Sequence, residues 1–184
     1  DLTARILAQE IRRTPDIVLG LATGRTMERV YARLASMHHE EGLDFAGVST
    51  FNLDEYIGLP LDSPHSYHSY MDKYLFNLIN IDKANTHVPN GMAADIDAEC
   101  RDYEACIAAK GGIDLQLLGI GETGHIGFNE PLSAMRSRTR PKALSPRTIE
   151  QNGPLFGDPK RMPRRAITMG VGTILDARRC VLLA

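Results

Sequence analysis

His125 and Glu130 stand five residues apart in Leu115–Pro131, LQLLGIGETGHIGFNEP, where an apolar run breaks at Gly119-Ile-Gly121 and a proline closes the loop. An imidazole that exchanges protons near neutral pH, set beside a carboxylate, is the equipment of general acid–base catalysis. Asp54 and Glu55 follow directly on a second strand candidate, Val48–Leu53. Carboxylates held close push one pKa up, which suits a base working near neutrality. Asp54 as a cap for the following turn is the other reading. A third run, Ile17–Leu21, leads through Ala22 into Thr23-Gly24-Arg25-Thr26 and then a helical pattern. Amides at a helix start, two hydroxyls and a guanidinium favour an anion. A capped helix after a tight turn accounts for the same residues. The turn is neither GxGxxG nor a Walker sequence, so it does not imply a nucleotide.

These groups need a frame that brings separate loops to one edge. Leu2, Ile6, Leu7 and Ile11 form a helical stripe that stops before Pro15. Ile17–Leu21 has the composition of a strand buried on both faces, and Val30, Tyr31, Leu34 and Met37 mark one face of the next helix. Val48–Leu53 and the short run Asn85–Pro89 read as strands, residues 96 to 109 as a helix with Cys100, Tyr103 and Ile107 inward, and Ile113–Leu118 as the strand that feeds the His125 loop. Strands alternating with helices of about 10–15 residues imply βαβ units. The expected fold is α/β, a doubly wound, mostly parallel, Rossmann-like sheet with helices on both faces and ligands at the carboxyl ends of the strands. Residues 1–184 read as a single domain.

Beyond Pro131 the chain turns basic. Arg136, Arg138, Arg140 and Lys142 occupy alternate positions, which in an extended segment puts all four on one side, toward solvent or an anion. Asn152–Pro163 is rich in Gly and Pro, the composition of a mobile loop or lid. Ala166–Gly170 reads as a strand, Gly172–Ala177 as a turn or short helix, and Cys180–Leu183 as a last strand. The chain opens inside a helical pattern and stops in mid-strand, so both ends look cut.

A net charge of −2 provides no global field for nucleic acid or an anionic membrane, so neither is an expected partner. No apolar run approaches the roughly 20 residues that span a bilayer, and no signal peptide opens the chain. Three cysteines without CxxC spacing fit reduced thiols in the cytoplasm. His65 and His68 lack a third ligand nearby and more simply begin the helix continuing through Met71, Tyr74, Leu75 and Leu78, so no metal is expected.

FNLDEYIGLP at 51–60, GHIGFNEP at 124–131, SRTR at 137–140 and MGVGTILDA at 169–177 occur in this order. Through them the chain resembles the glucosamine-6-phosphate deaminase family, which isomerises and deaminates an amino-sugar phosphate to fructose 6-phosphate and ammonia. The similarity runs from the first helix to the last strand, and relative to the family the chain is expected to lack a strand before the first helix and a strand with further helices after Ala184. The resemblance implies a small-molecule amino-sugar phosphate as partner, no cofactor, a homo-oligomer and a cytoplasmic enzyme. Asp54 matches the base that moves a proton between C1 and C2. His125 matches the group that opens the sugar ring, and Glu130 the acid that orients it. Thr23, Gly24 and Thr26 fall in the phosphate turn, with Glu55, Tyr56, Gly119 and Gly121 grouped as substrate-binding. Ser133, Arg140 and Lys142 match an allosteric site for N-acetylglucosamine 6-phosphate.

Three positions depart from the pattern. Thr123 stands where the family has an aspartate that polarises the histidine. Threonine accepts a hydrogen bond there but cannot stabilise an imidazolium by charge. Pro154 stands where the lid carries a phosphate-binding arginine, and Arg25 where the phosphate turn usually has glycine, so Arg25 is expected to replace the lost cation. The competing readings are a related sugar-phosphate isomerase, a 6-phosphogluconolactonase-like hydrolase and a catalytically silent sugar-phosphate sensor. The NEP and DEY sequences argue against the hydrolase.

Overall fold

Ile17–Leu21 and Val48–Leu53 contain short strands whose residues are all buried, because both faces are covered by helices. In the computed structural model, which describes residues 2–184, the first half of the chain forms α1 (Leu2–Arg13), β1 (Val18–Leu21), α2 (Arg25–Glu41), β2 (Ser49–Asn52), β3 (Asp54–Tyr56), α3 (Tyr67–Tyr74) and β4 (Thr86–His87). The second half forms α4 (Ile96–Ala109), β5 (Leu115–Gly119), β6 (Arg140–Ala143), α5 (Pro146–Asn152), β7 (Arg165–Thr168), α6 (Val171–Leu175) and β8 (Arg179–Leu183). Five strands pair in parallel in the order β4-β2-β1-β5-β8. Non-consecutive neighbours with helical crossovers are the doubly wound arrangement expected from the sequence.

The sequence did not foretell a second sheet. β3, β7 and β6 form a separate antiparallel sheet of three strands, with Asp54 opposite Thr168 and Thr168 opposite Arg140. Asp54-Glu55-Tyr56 is therefore a strand in its own right rather than the tail of β2. Leu53 is the seam: its amide donates to Leu21 O at 3.0 Å in the parallel sheet, and its carbonyl accepts from the Met169 amide at 2.7 Å beside the antiparallel one. Each sheet has its own core. The larger gathers Leu7, Tyr31, Phe51, Met71 and Leu117 around the parallel strands, and the smaller consists of Tyr56, Phe128, Leu144, Phe156, Met162 and Ala166.

Two expectations for the basic region need correction. Only Arg140–Ala143 is extended, so the alternate-position row does not form one face; Arg138 turns away to pair with Asp176. Residues 153–163 do not form an open loop. Gly153–Phe156 and Pro159–Arg161 are 3₁₀ turns, and Phe156 is buried against Tyr56 with ring centroids 5.5 Å apart. Proline and glycine here serve tight turns over a small aromatic core, which the composition alone does not distinguish from mobility. Cys100 fills core as expected, and the three cysteines are free.

Candidate active site

The carboxyl ends of β1, β2 and β5 open onto one cavity of about 460 Å³. Thr23–Thr26, Asp54, Gly119, Gly121 and His125 line it, and α5 closes one side with Thr148, Gln151 and Asn152, followed by Pro154 and Leu155. Three loops distant in sequence thus meet where an open α/β sheet places ligands.

At the first wall, α2 begins without a side-chain cap. Gly24 occupies the cap position with φ of 115°, and no hydroxyl turns back to the helix amides. In contrast Ser66, Asp95 and Ser145 each cap their helix by accepting a backbone N–H. The capped-helix reading of the Thr23–Thr26 turn thus lacks a side-chain cap, and the helix start lies at the cavity with Glu28 in its first turn. Arg25 is exposed there, has no ion-pair partner among the described residues and contributes the one cationic side chain of the cavity lining they provide.

At the second wall stands Asp54, only 6 % exposed. Burial, reinforced by the charge of Glu55, pushes its carboxyl up to about 8. The loop across from it has to come close. Gly127 has φ of 56°, and a Cβ there would lie 2.9 Å from Thr168 Oγ1 and 3.3 Å from Asp54 Oδ2, so this position accepts only glycine without strain against these side chains. Thr168 accepts the Phe128 amide at 3.1 Å, and the Asn129 side chain donates to Ile126 O at 3.0 Å and Met169 O at 2.8 Å, which pins the loop to the end of β7.

Glu55 and Tyr56, grouped above with substrate binding, do not line the cavity. Glu55 is fully buried and accepts the backbone N–H groups of Tyr56, Tyr67 and His68 at 2.8, 3.0 and 3.0 Å, so it anchors the start of α3. Burial raises its pKa although the three N–H groups act in the opposite sense. Tyr56 faces the smaller core, where its hydroxyl meets the Tyr67 hydroxyl and the Asn152 side-chain amide at 3.2 Å each.

His125 completes the third wall. The Gly121 amide donates to its carbonyl at 2.9 Å, and a Cβ on Gly121 would fall 2.0 Å from the imidazole, so glycine is what lets the ring lie there. Thr123 Oγ1 is 2.9 Å from His125 Nδ1 and donates to Glu130 Oε2 at 2.8 Å. Glu130 itself stays behind the ring, outside the cavity lining. Burial acts to raise its pKa, but the hydroxyls of Ser145 and Thr123, the His125 ring and Thr148 prevail and hold it below the usual carboxylate range.

Ser133, Arg140 and Lys142 lie apart from the cavity, on a turn and on β6, and Arg140 is lowered by burial. Sequence reasoning missed Tyr67, Thr148, Gln151, Asn152 and Thr168. A signal for the α5 group was present: Ser145-Pro146 followed by Thr148 is a helix cap with proline at the first turn. No group of three or more His, Cys, Asp or Glu among the described residues is arranged to hold a metal ion.

The family model of glucosamine-6-phosphate isomerases/6-phosphogluconolactonase matches residues 1–184. The chain belongs to this family. Among curated members of the family, it is 53 % identical to glucosamine-6-phosphate deaminase of Shewanella loihica over 98 % of this chain and 68 % of that protein. It is 51 % identical to that of Halothermothrix orenii over 98 % and 75 %. A solved structure of a monomeric glucosamine-6-phosphate deaminase superposes with a TM-score of 0.96 at 46 % identity, covering 98 % of this chain and 75 % of that one. A 6-phosphogluconolactonase from Thermotoga maritima, 23 % identical with a TM-score of 0.66 over 92 % of this chain and 74 % of its own, shares the fold.

Proposed function

We propose that the protein is a glucosamine-6-phosphate deaminase, converting glucosamine 6-phosphate and water to fructose 6-phosphate and ammonia in amino-sugar catabolism. The observation that carries this reading is one cavity with a proton-transfer carboxyl and an imidazole at its walls and an uncapped helix start beside a free guanidinium at another. The phosphate binds the amides of α2 with the Thr23 and Thr26 hydroxyls, and Arg25 supplies the cation that Pro154 does not. That leaves C1 and C2 toward Asp54 and His125. His125 takes the proton of the anomeric hydroxyl and returns it to the ring oxygen, opening the ring. Asp54 removes the proton from C2 and delivers it to C1 while the C1 oxygen takes a proton from the substrate ammonium, and water then adds to the C2 iminium carbon and ammonia leaves to give the ketone. A carboxyl titrating near 8 is basic enough to take a proton beside a carbonyl and acidic enough to give it back.

The reading includes a cytoplasmic location and the homo-oligomer implied by the resemblance. Among the described residues no helix is long and apolar enough to cross a membrane. Sedimentation velocity decides the assembly. A monomeric state, like that of the solved deaminase, would remove the allosteric role of Ser133, Arg140 and Lys142 wherever that role depends on subunit contacts.

Ammonia release from glucosamine 6-phosphate by the purified protein tests the proposal, with Asp54→Asn as the control that should release none above background. Binding without release supports the sensor instead, and turnover of 6-phosphogluconolactone supports the hydrolase.

A further inference from the structure

Thr123 lies between the two titratable side chains of its loop and has a single proton to give. His125 Nδ1 and the nearer Glu130 oxygen are 3.9 Å apart, beyond a hydrogen bond, while Thr123 Oγ1 reaches Nδ1 at 2.9 Å and Oε2 at 2.8 Å. An ionised carboxylate offers only acceptors, so the threonine proton points to Glu130. The face of the hydroxyl toward His125 then holds a lone pair, and Nδ1 must bring the proton of that contact itself. Neutral imidazole has one N–H, which leaves Nε2 bare. Nε2 has no hydrogen-bond partner among the described residues, and the ring borders the cavity.

We propose that Thr123 is a positioning residue that fixes His125 as the Nδ1–H tautomer through the chain Nδ1–H···Oγ1–H···Oε2, so that an unprotonated Nε2 faces the cavity as proton acceptor. The identity of the proton it accepts, that of the anomeric hydroxyl, rests on the deaminase reading; the tautomer does not. When Nε2 gains a proton, the charge of the imidazolium is met by Glu130 through a hydroxyl rather than by a carboxylate in contact. A neutral partner makes the weaker hydrogen bond. An aspartate in place of Thr123 would therefore hold the imidazolium more firmly and make it a poorer acid in the return step.

The test is the histidine nitrogen spectrum of the ¹⁵N-labelled, substrate-free protein, with the His125 resonances assigned by their loss in His125→Gln. The expected result is a protonated Nδ1 and an unprotonated Nε2 in wild type and Thr123→Ser, and a loss of that preference in Thr123→Val. An Nε2–H tautomer in wild type, or an unchanged preference in Thr123→Val, overturns the proposal. Thr123 is exposed, so valine has room; if that variant nevertheless fails to fold, the wild-type and serine spectra still decide. In turnover, Thr123→Val should lower kcat by about 10- to 100-fold with little change in KM, the loss known for partners that orient a metal-bound histidine, and serine should restore it. Absence of turnover in wild type would defeat the deaminase reading while leaving the spectrum to judge the tautomer.

Discussion

At the parallel sheet, the cavity is furnished by backbone: β1 ends, the chain turns through Thr23 and Gly24, and α2 begins with its amides uncapped, all within one contiguous stretch. At the antiparallel sheet it is furnished by side chains held from a distance, since Asp54 is placed by pairing with Thr168 and faces a loop pinned by Asn129 to Met169. The first arrangement offers an anion groups that cost little to present. The second keeps a carboxyl in an environment that opposes its ionisation. Binding can thus be built locally, whereas a perturbed base needs a packed and remote surround.

Asp54→Asn probes that contrast most severely. The exchange should cost turnover about 10²- to 10⁴-fold, the range for loss of a general base, with binding of the sugar phosphate retained. It should also stabilise the fold. The folded carboxyl titrates near 8 against 3.8 for the ordinary group, so between these limits the folded state holds a proton that the unfolded state has released. Wild-type stability therefore falls as pH rises through that window, and the gain in Tm of the variant should be greater near about pH 9 than near about pH 4. An equal gain at both would deny the raised pKa. The same ionisation should make wild-type kcat/KM rise with pH toward about 8.

Phe156→Ala strikes the smaller core and should cost about 3 kcal/mol, near the low end for a buried phenylalanine. Hydrogen exchange should then accelerate in residues 153–162 and leave β5 protected. Equal loss in both sheets would mean that the two cores are one cooperative unit. Arg25→Gly should raise KM for the phosphorylated substrate by about tenfold, equivalent to about 1.4 kcal/mol, with Pro154→Arg restoring part of it from the lid side. An unchanged KM removes Arg25 from the phosphate. Arg147→Ala, which breaks exposed pairs with Glu122 and Glu150 at 2.7 and 2.9 Å, should cost no more than about 1 kcal/mol in a denaturant melt.

The legibility of the sequence follows the same division. The strand candidates at Ile17–Leu21 and Val48–Leu53 and the stripe of Cys100, Tyr103 and Ile107 are local patterns, and each became the element it implied. His125 and Thr123 were readable because their partners lie within the same loop. The antiparallel sheet was not, since β3 has only three residues and is defined by a partner far along the chain. Glu55 misled for a related reason: a carboxylate at a strand end looks the same in sequence whether it turns to a ligand or, as here, to the amides of a following helix. The Gly/Pro run after Asn152 hid Phe156, whose burial depends on Tyr56.

The pairing of Asp54 with Thr168 also sets an order of assembly. During synthesis from the amino terminus, the stretch that carries the Thr23–Thr26 turn leaves the ribosome before β5, and β3 has no antiparallel neighbour until β7 has emerged. A contact of such sequence separation is entropically costly to close and forms late in folding. Asp54 thus gains its antiparallel neighbour only once β7 has emerged, whereas β1, whose end carries the Thr23–Thr26 turn, gains β5 before that.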